Sequence, residues 1–260
     1  MPELPDVEIF RRYAESKATR KTIKKVSGDE DQVMEASART IGRSINGHQF
    51  ISTARKGKYL FMGTGNNKNV VFHFGMTGNF AYREKKSELP ANTRFTIEFE
   101  NGDLLGFVNQ RKLGMVDLTD GIEEFCRKEE IGPDALEISQ KDFIDLLKTR
   151  EGSIKSALMD QSLVSGIGNI YSDEILFQAG WHPNKQVPDL SESDLEELYQ
   201  KIHHVLELAI KRNADPAKLP YTWLLPNREE GKKCPRCKGK IEKIKISGRG
   251  CYICPSCQNK

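Results

Sequence analysis

The 260-residue sequence predicts an α+β chain: an N-terminal helix, an antiparallel β-sandwich, a helical region, and a cysteine-rich hairpin at the end. Three observations carry this reading. Up to about residue 118 the chain is built from short runs of aromatic and branched residues separated by turn signals, the pattern of a sandwich. After an acidic stretch at 117–137 the apolar spacing becomes helical. Five of the six cysteines then fall within the last 27 residues.

Residues 5–18 start with Pro5, which suits a first helical turn, and carry Val7, Phe10 and Ala14 along one face. Strands are expected at Tyr59-Leu-Phe-Met, Asn69-Val-Val-Phe-His-Phe, Phe95-Thr-Ile-Glu-Phe and Leu104-Leu-Gly-Phe-Val. Asn101-Gly102, between the last two, signals a two-residue hairpin turn. The acidic segment holds eight Asp/Glu against two Lys/Arg and ends in Gly132-Pro133, which marks a domain boundary. Beyond it Ser139 with Asp142 opens a helix that turns Phe143, Leu146 and Leu147 inward. Further helices are expected from Ser153 to about Asp160 and from about Asn169 to Ala179. A long helix opens with Ser193 and Glu196 and buries Leu195, Leu198, Ile202, Leu206 and Ile210. Residues 213–233 hold three prolines and read as an extended connector. The expected domains are 1–120, 121–225 and 226–260.

Hydrophobic residues at 37% and charged at 30% describe an ordinary globular protein. No apolar run reaches membrane-spanning length and the N-terminus lacks a signal-peptide core, so an intracellular, cytoplasmic protein without membrane contact is expected. The net charge of +3 conceals an asymmetry, because residues 228–260 carry ten Lys/Arg against three Glu. A basic tail of this kind suits a polyanionic partner.

Cys234-Pro-Arg-Cys237 and Cys254-Pro-Ser-Cys257 are two CxxC pairs at the separation of a closed four-thiolate zinc site. Cys251 with Cys254 also makes a CxxC. The matched Cys-Pro-x-Cys pattern favours Cys234, Cys237, Cys254 and Cys257 as ligands of one structural zinc, with Cys251 buried beside them. Cys126 reads as an ordinary thiol. Between the pairs, Ile241, Ile244, Ile246, Tyr252 and Ile253 suggest two strands joined by Ser247-Gly248-Arg249-Gly250. An arginine between two glycines at a hairpin tip can approach a phosphate closely.

Two further stretches bear chemistry. If Met1 is removed, the chain starts with the secondary amine of Pro2, whose reference pKa of about 7.7–8.0 leaves much of it neutral and nucleophilic. Glu3 lies beside it as a proton donor or acceptor, with Asp6 and Glu8 one turn on. In residues 158–183, LMDQSLVSGIGNIYSDEILFQAGWHP, the turn Gly166-Ile-Gly168-Asn169 feeds a helix N-terminus. Its backbone N–H groups and the Asn169 amide read as a phosphate clamp.

The N-terminal PELPDVE, the DQSLVSGIGNIYSDEILFQAGWHP stretch and the terminal GRGCYICPSCQ, in this order over the whole chain, resemble the formamidopyrimidine-DNA glycosylase/endonuclease VIII family. The resemblance implies a β-sandwich, a helix–two-turn–helix domain and a zinc finger. It also implies a monomeric bifunctional enzyme that acts on double-stranded DNA carrying oxidised or abasic sites. By resemblance Pro2 is the nucleophile, Glu3 the general acid, and Lys58 holds a phosphate near the lesion. Asn169 and Arg249 pin the phosphates around an everted nucleotide, and Met76, Arg111 and Leu113 fill the space the base leaves. His73 reads as organising the Met76 loop.

The sequence departs from the family at Asp6, usually Glu, at Asn109, usually Asp, and at Leu113, usually aromatic. The expected reaction is removal of oxidised bases of the 8-oxoguanine or formamidopyrimidine type followed by β,δ-elimination. The connector 213–233 is short where purine-type members carry a long lesion-covering loop, so preference for oxidised pyrimidines stays open. A catalytically silent damaged-DNA-binding protein is disfavoured because Pro2, Glu3 and Lys58 are all retained. A zinc-ribbon interaction protein does not explain why both ends of the chain carry the signature.

Overall fold

The computed structural model describes residues 1–28, 33–85 and 87–258. The chain divides into two compact units: Met1–Pro2 with Asp6–Glu129, and Glu3–Pro5 with Glu130–Lys260.

In the first unit the helix α1 (Leu4–Ala18), from Asp6 onward, precedes eight strands. These are β1 (Ile23–Gly28), β2 (Phe50–Lys56), β3 (Tyr59–Thr64), β4 (Asn69–His73), β5 (Asn79–Arg83), β6 (Thr93–Phe99), β7 (Leu104–Val108) and β8 (Met115–Thr119). They form two antiparallel sheets, β1-β6-β7-β5 and β2-β3-β4-β8. Alternate residues face inward, as the two-residue period of a strand requires. Phe95 pairs with Phe107 and Ile97 with Leu105. From the other sheet Phe72 sets its ring 5.6 Å from Phe107 and 6.2 Å from Phe95. Val7, Ala14 and Ala18 of α1 close the same core.

Residues 38–45, read with the strands, are helical: α2 (Ala38–Ile45) is capped by Ser37, whose Oγ accepts Thr40 N–H at 3.1 Å. Eight residues with a central Gly42 are too short for a clear period, and tertiary packing decides the helix, with Gly42 set against Val26. At Asn101-Gly102 the left-handed residue is Gly102 alone (φ 86°). Gly102 N–H donates to Phe99 O and Phe99 N–H to Asp103 O, each at 2.9 Å. The loop is therefore a three-residue turn with a glycine bulge and not a two-residue one. The helix α3 (Ile122–Lys128), inside the acidic stretch, sets Phe125 edge-on against Tyr59 and Phe61, each 5.6 Å away. That apolar contact is why the division falls after Glu129.

The second unit contains α4 (Gln140–Lys148), α5 (Ile154–Met159), α6 (Asn169–Ala179) and α7 (Glu192–Lys211). It ends in the hairpin β9 (Glu242–Ile246) and β10 (Arg249–Ile253). α4 starts at the Ser139 cap, but it buries Ile144 with Phe143 and Leu147 while Leu146 is half-buried. α7 begins two residues earlier than expected, in a capping box of Ser191 and Asp194, and buries the five expected apolar residues with Val205 and Ala209. Both serine pairs fit the box pattern, and the first to leave extended backbone takes it. The connector is packed and not merely extended: Trp223 and Leu224 are buried, and 3-10 turns form at Pro216–Lys218 and Leu225–Asn227. No helix of the described residues is long and apolar enough to cross a membrane.

Candidate active site and nucleic-acid interface

Glu3 and the turn before α6 belong to the same unit and are built around each other. The Glu3 side chain is fully buried and accepts N–H bonds from Gly168 (2.7 Å), Ile170 (2.8 Å) and Tyr171 (3.1 Å). A carboxylate at a helix N-terminus meets unsatisfied donors and the positive end of the dipole. A Cβ on Gly168 would stand 2.4 Å from the Glu3 carboxyl carbon, and one on Gly166 (φ 110°) 2.5 Å from Leu4 Cδ1. The glycines thus admit the N-terminal segment. The expected phosphate clamp is corrected here, since three of its backbone donors are spent on Glu3.

The Asn169 side chain lies at the same helix start. Its Nδ2 donates to Gly250 O at 2.9 Å, next to Arg249 in β10. The helix turn and the hairpin tip therefore meet, and Asn169 and Arg249 are brought to one place. The tip turn is Ser247-Gly248 (φ 46° and 78°), the two-residue type with both residues left-handed. Arg249 is the first strand residue after it, paired with Ile246 and exposed. Ser247 Oγ lies 2.8 Å from Ser156 Oγ of α5.

A buried ionic network that the sequence reading missed fixes this junction. Asp173 Oδ1 accepts Lys155 Nζ (2.5 Å) and the Cys251 thiol (2.9 Å). Its Oδ2 accepts Arg228 Nε (2.9 Å) and Tyr252 N–H (3.2 Å). Lys155 also reaches Ser172 Oγ (2.9 Å) and Asn169 O (3.3 Å). Both Lys155 and Asp173 are buried, and buried charges persist only when paired and hydrogen-bonded. The signal was present in α6: Asp173 and Glu174 sit in a helix buried on nearly every face, with no polar stripe to hold them. Burial pushes Glu174 up to about 7, and its Oε2 accepts Leu225 N–H at 2.7 Å, which anchors the connector.

Cys234, Cys237, Cys254 and Cys257 bring their sulfurs within 4.8 Å of one another. Cys234–Cys257 and Cys237–Cys254 are 3.8 and 3.5 Å apart. Tetrahedral zinc with Zn–S of about 2.3 Å needs sulfurs about 3.8 Å apart, so the cluster fits one structural zinc. Gly239 N–H, at 3.2 Å, lowers the Cys237 thiol to about 7. Cys251 is outside the cluster, its thiol pushed up by burial and by Asp173.

In the first unit Met76, Arg111 and Leu113 are exposed on two turns that touch. A Cβ on Gly75 (φ 59°) would stand 2.2 Å from Leu113 O, and Arg111 N–H faces Thr77 Oγ1 at 3.4 Å. Met76 and Leu113 are 41% and 51% exposed, so neither is a core residue. Lys58 occupies the two-residue turn between β2 and β3, where Gly57 has φ 56°. Burial, and then the Lys58 charge, lower His73 to about 4; its ring packs 4.8 Å from Tyr59. Pro2 is half-buried, Asp6 is in the first turn of α1, and Glu8 is held by Arg11, Arg12 and Arg55.

Comparison with known proteins gives three family matches along the chain. These are the formamidopyrimidine-DNA glycosylase N-terminal domain at residues 1–116, the formamidopyrimidine-DNA glycosylase H2TH domain at 131–219, and the zinc finger found in FPG and IleRS at 231–260. The chain is 31% identical to the formamidopyrimidine-DNA glycosylase of Lactococcus lactis subsp. cremoris, over all of both chains. It is similar to the structure of Lactococcus lactis Fpg with abasic-site DNA (TM-score 0.89, 30% identity, 99% of this chain and 100% of the other). The same holds for the Lactococcus lactis complex with FAPY-dG DNA (TM-score 0.89, 30% identity, 99% and 100%).

Proposed function

The chain belongs to the formamidopyrimidine-DNA glycosylase family, DNA glycosylases and abasic-site lyases of base-excision repair, and we propose that it excises oxidised purines of the formamidopyrimidine and 8-oxoguanine type through Pro2. The observation that carries the reading is the seat of Glu3, a buried carboxylate on three N–H donors and peptide-bonded to Pro2. The Lactococcus lactis complex with FAPY-dG DNA supports the substrate class.

In the proposed reaction the neutral Pro2 nitrogen attacks the anomeric carbon, and the bond to the base breaks with its electron pair leaving on the base. The Glu3 carboxylate takes the proton that attack leaves on the Pro2 nitrogen and delivers it to the sugar ring oxygen as the ring opens, and the freed nitrogen lone pair completes an iminium. Loss of a proton from the neighbouring sugar carbon expels the 3′ phosphate, and a second elimination expels the 5′ phosphate. Such chemistry needs the nucleotide out of the stack. Met76, Arg111 and Leu113 form the wedge that fills its place. Lys58, Asn169 and Arg249 hold the flanking phosphates. Asn169 has one amide N–H committed to Gly250, so Arg249 supplies the larger share at that end. Zinc holds the hairpin that carries Arg249.

Borohydride trapping tests this. Protein with a free Pro2 nitrogen should give a covalent adduct on duplex carrying a formamidopyrimidine, and protein with Met1 or a tag retained should give none. Equal trapping by both would move the nucleophile to a lysine. Preferential trapping on an oxidised pyrimidine duplex would overturn the substrate class.

A further inference from the structure

Resting on the reading that the two exposed turns extrude a damaged base, we propose that Asn109 is a positioning residue that locks the Met76 and Leu113 turns into one rigid wedge. Asn109 is fully buried beneath them. Its Nδ2 donates to Phe74 O at 3.2 Å, and its Oδ1 accepts Leu113 N–H at 3.1 Å. Phe74 O also accepts Gly78 N–H at 2.8 Å, which closes the turn that carries Met76. One amide group therefore ties the first residue of one turn to the apolar tip of the other.

The backbone of Asn109 is pinned as well, and its side chain is closely packed. Asn109 N–H donates to Asn92 O at 2.9 Å, and Arg94 Nε donates to Asn109 O at 3.1 Å. A Cβ on Gly114 would stand 2.2 Å from Asn109 Nδ2 and 2.8 Å from the Phe107 ring. The amide supplies a donor toward Phe74 and an acceptor toward Leu113 from one planar group. Leucine is of similar size and offers neither, so both of these buried bonds would be lost. The turns would then part, and with them Met76 and Leu113.

A wedge matters where a stacked base must be displaced and matters little where the base is already gone. Asn109→Leu should therefore lower single-turnover excision from a formamidopyrimidine duplex on the order of tenfold. Cleavage of a preformed abasic site should stay near the wild-type rate, which also shows the variant is folded. The ratio of the two rates is the readout, since a merely structural defect lowers both. Asn109→Ser, which withdraws the reach of both bonds, is read the same way should the leucine variant unfold. Equal losses on both duplexes, or no loss on either, overturn the role of Asn109. Wild-type protein that cuts neither duplex overturns the glycosylase reading, and this inference with it.

Discussion

The two places where the protein is proposed to grip DNA are held by opposite kinds of chemistry. The wedge of the first unit stands on glycine backbone contacts and one neutral amide, Asn109. The Asn169–Arg249 junction of the second unit stands on charge, buried Asp173 between buried Lys155 and half-buried Arg228, and its hairpin also carries Cys251 and, one residue past the strand, Cys254 of the four-cysteine cluster. The difference follows from what each presents. The proposed wedge would offer Met76 and Leu113 to stacked bases, and a fully buried charge beneath them would have to be desolvated for no electrostatic return. In the proposed function the junction would hold a helix start, a hairpin and an arginine in one geometry against a polyanion. A paired ionic network is directional enough for that, because each charge fixes the position of its neighbours.

Cooperative charge fails harder than neutral packing. The largest effect is expected at the cysteines, since a structural zinc in a small finger contributes on the order of 10–16 kcal/mol. Cys254→Ser should lower zinc content well below one per chain and abolish binding to abasic-site duplex. Cys251→Ser should leave zinc near one per chain, because its thiol points at Asp173. Metal lost from the Cys251 variant would place Cys251 among the ligands and remove it from the ionic network.

Next comes Asp173→Asn, which leaves the buried Lys155 and the half-buried Arg228 without this counter-charge. Breaking one partner of a buried pair costs about 3–5 kcal/mol. Denaturant unfolding should show a loss of that size, with weaker binding to abasic-site duplex. A loss below about 1 kcal/mol would mean that water or another group already compensates the two cations, and the contrast with the wedge would dissolve.

The smallest change in stability belongs to the wedge itself. Met76→Ala removes an exposed side chain, so stability should stay within about 0.5 kcal/mol. Base excision from duplex should fall while cleavage at a preformed abasic site persists. Parallel losses with a lower Tm would make Met76 a packing residue.

Much of this was legible before any coordinates. The Cys-Pro-x-Cys pairs, the two-residue strand period of Phe95, Ile97 and Phe99, and the span of α6 are local patterns, and local patterns survive folding because neighbours in sequence remain neighbours in space. The N-cap at Ser139 and the buried face of α7 belong to the same class. Where two local signals competed, as with Ser191 and Ser193, sequence alone had no means of choosing between them. α2 was missed because eight residues with a central glycine carry too little period, and contact with β1 decides their state. The engagement of the Gly168, Ile170 and Tyr171 amides by Glu3 spans more than 160 residues, and no window along the chain contains both ends. Asp173, Lys155, Arg228 and Cys251 are likewise scattered along the chain, and Asn109 stood out only as a departure from the family's usual Asp until burial placed its amide between Phe74 and Leu113. The sequence by itself determined which residues could donate, accept, ligate or pack. Tertiary structure decided which of those capacities were already spent within the protein, because a hydrogen bond or a charge pair depends on distance in space and not on distance along the chain.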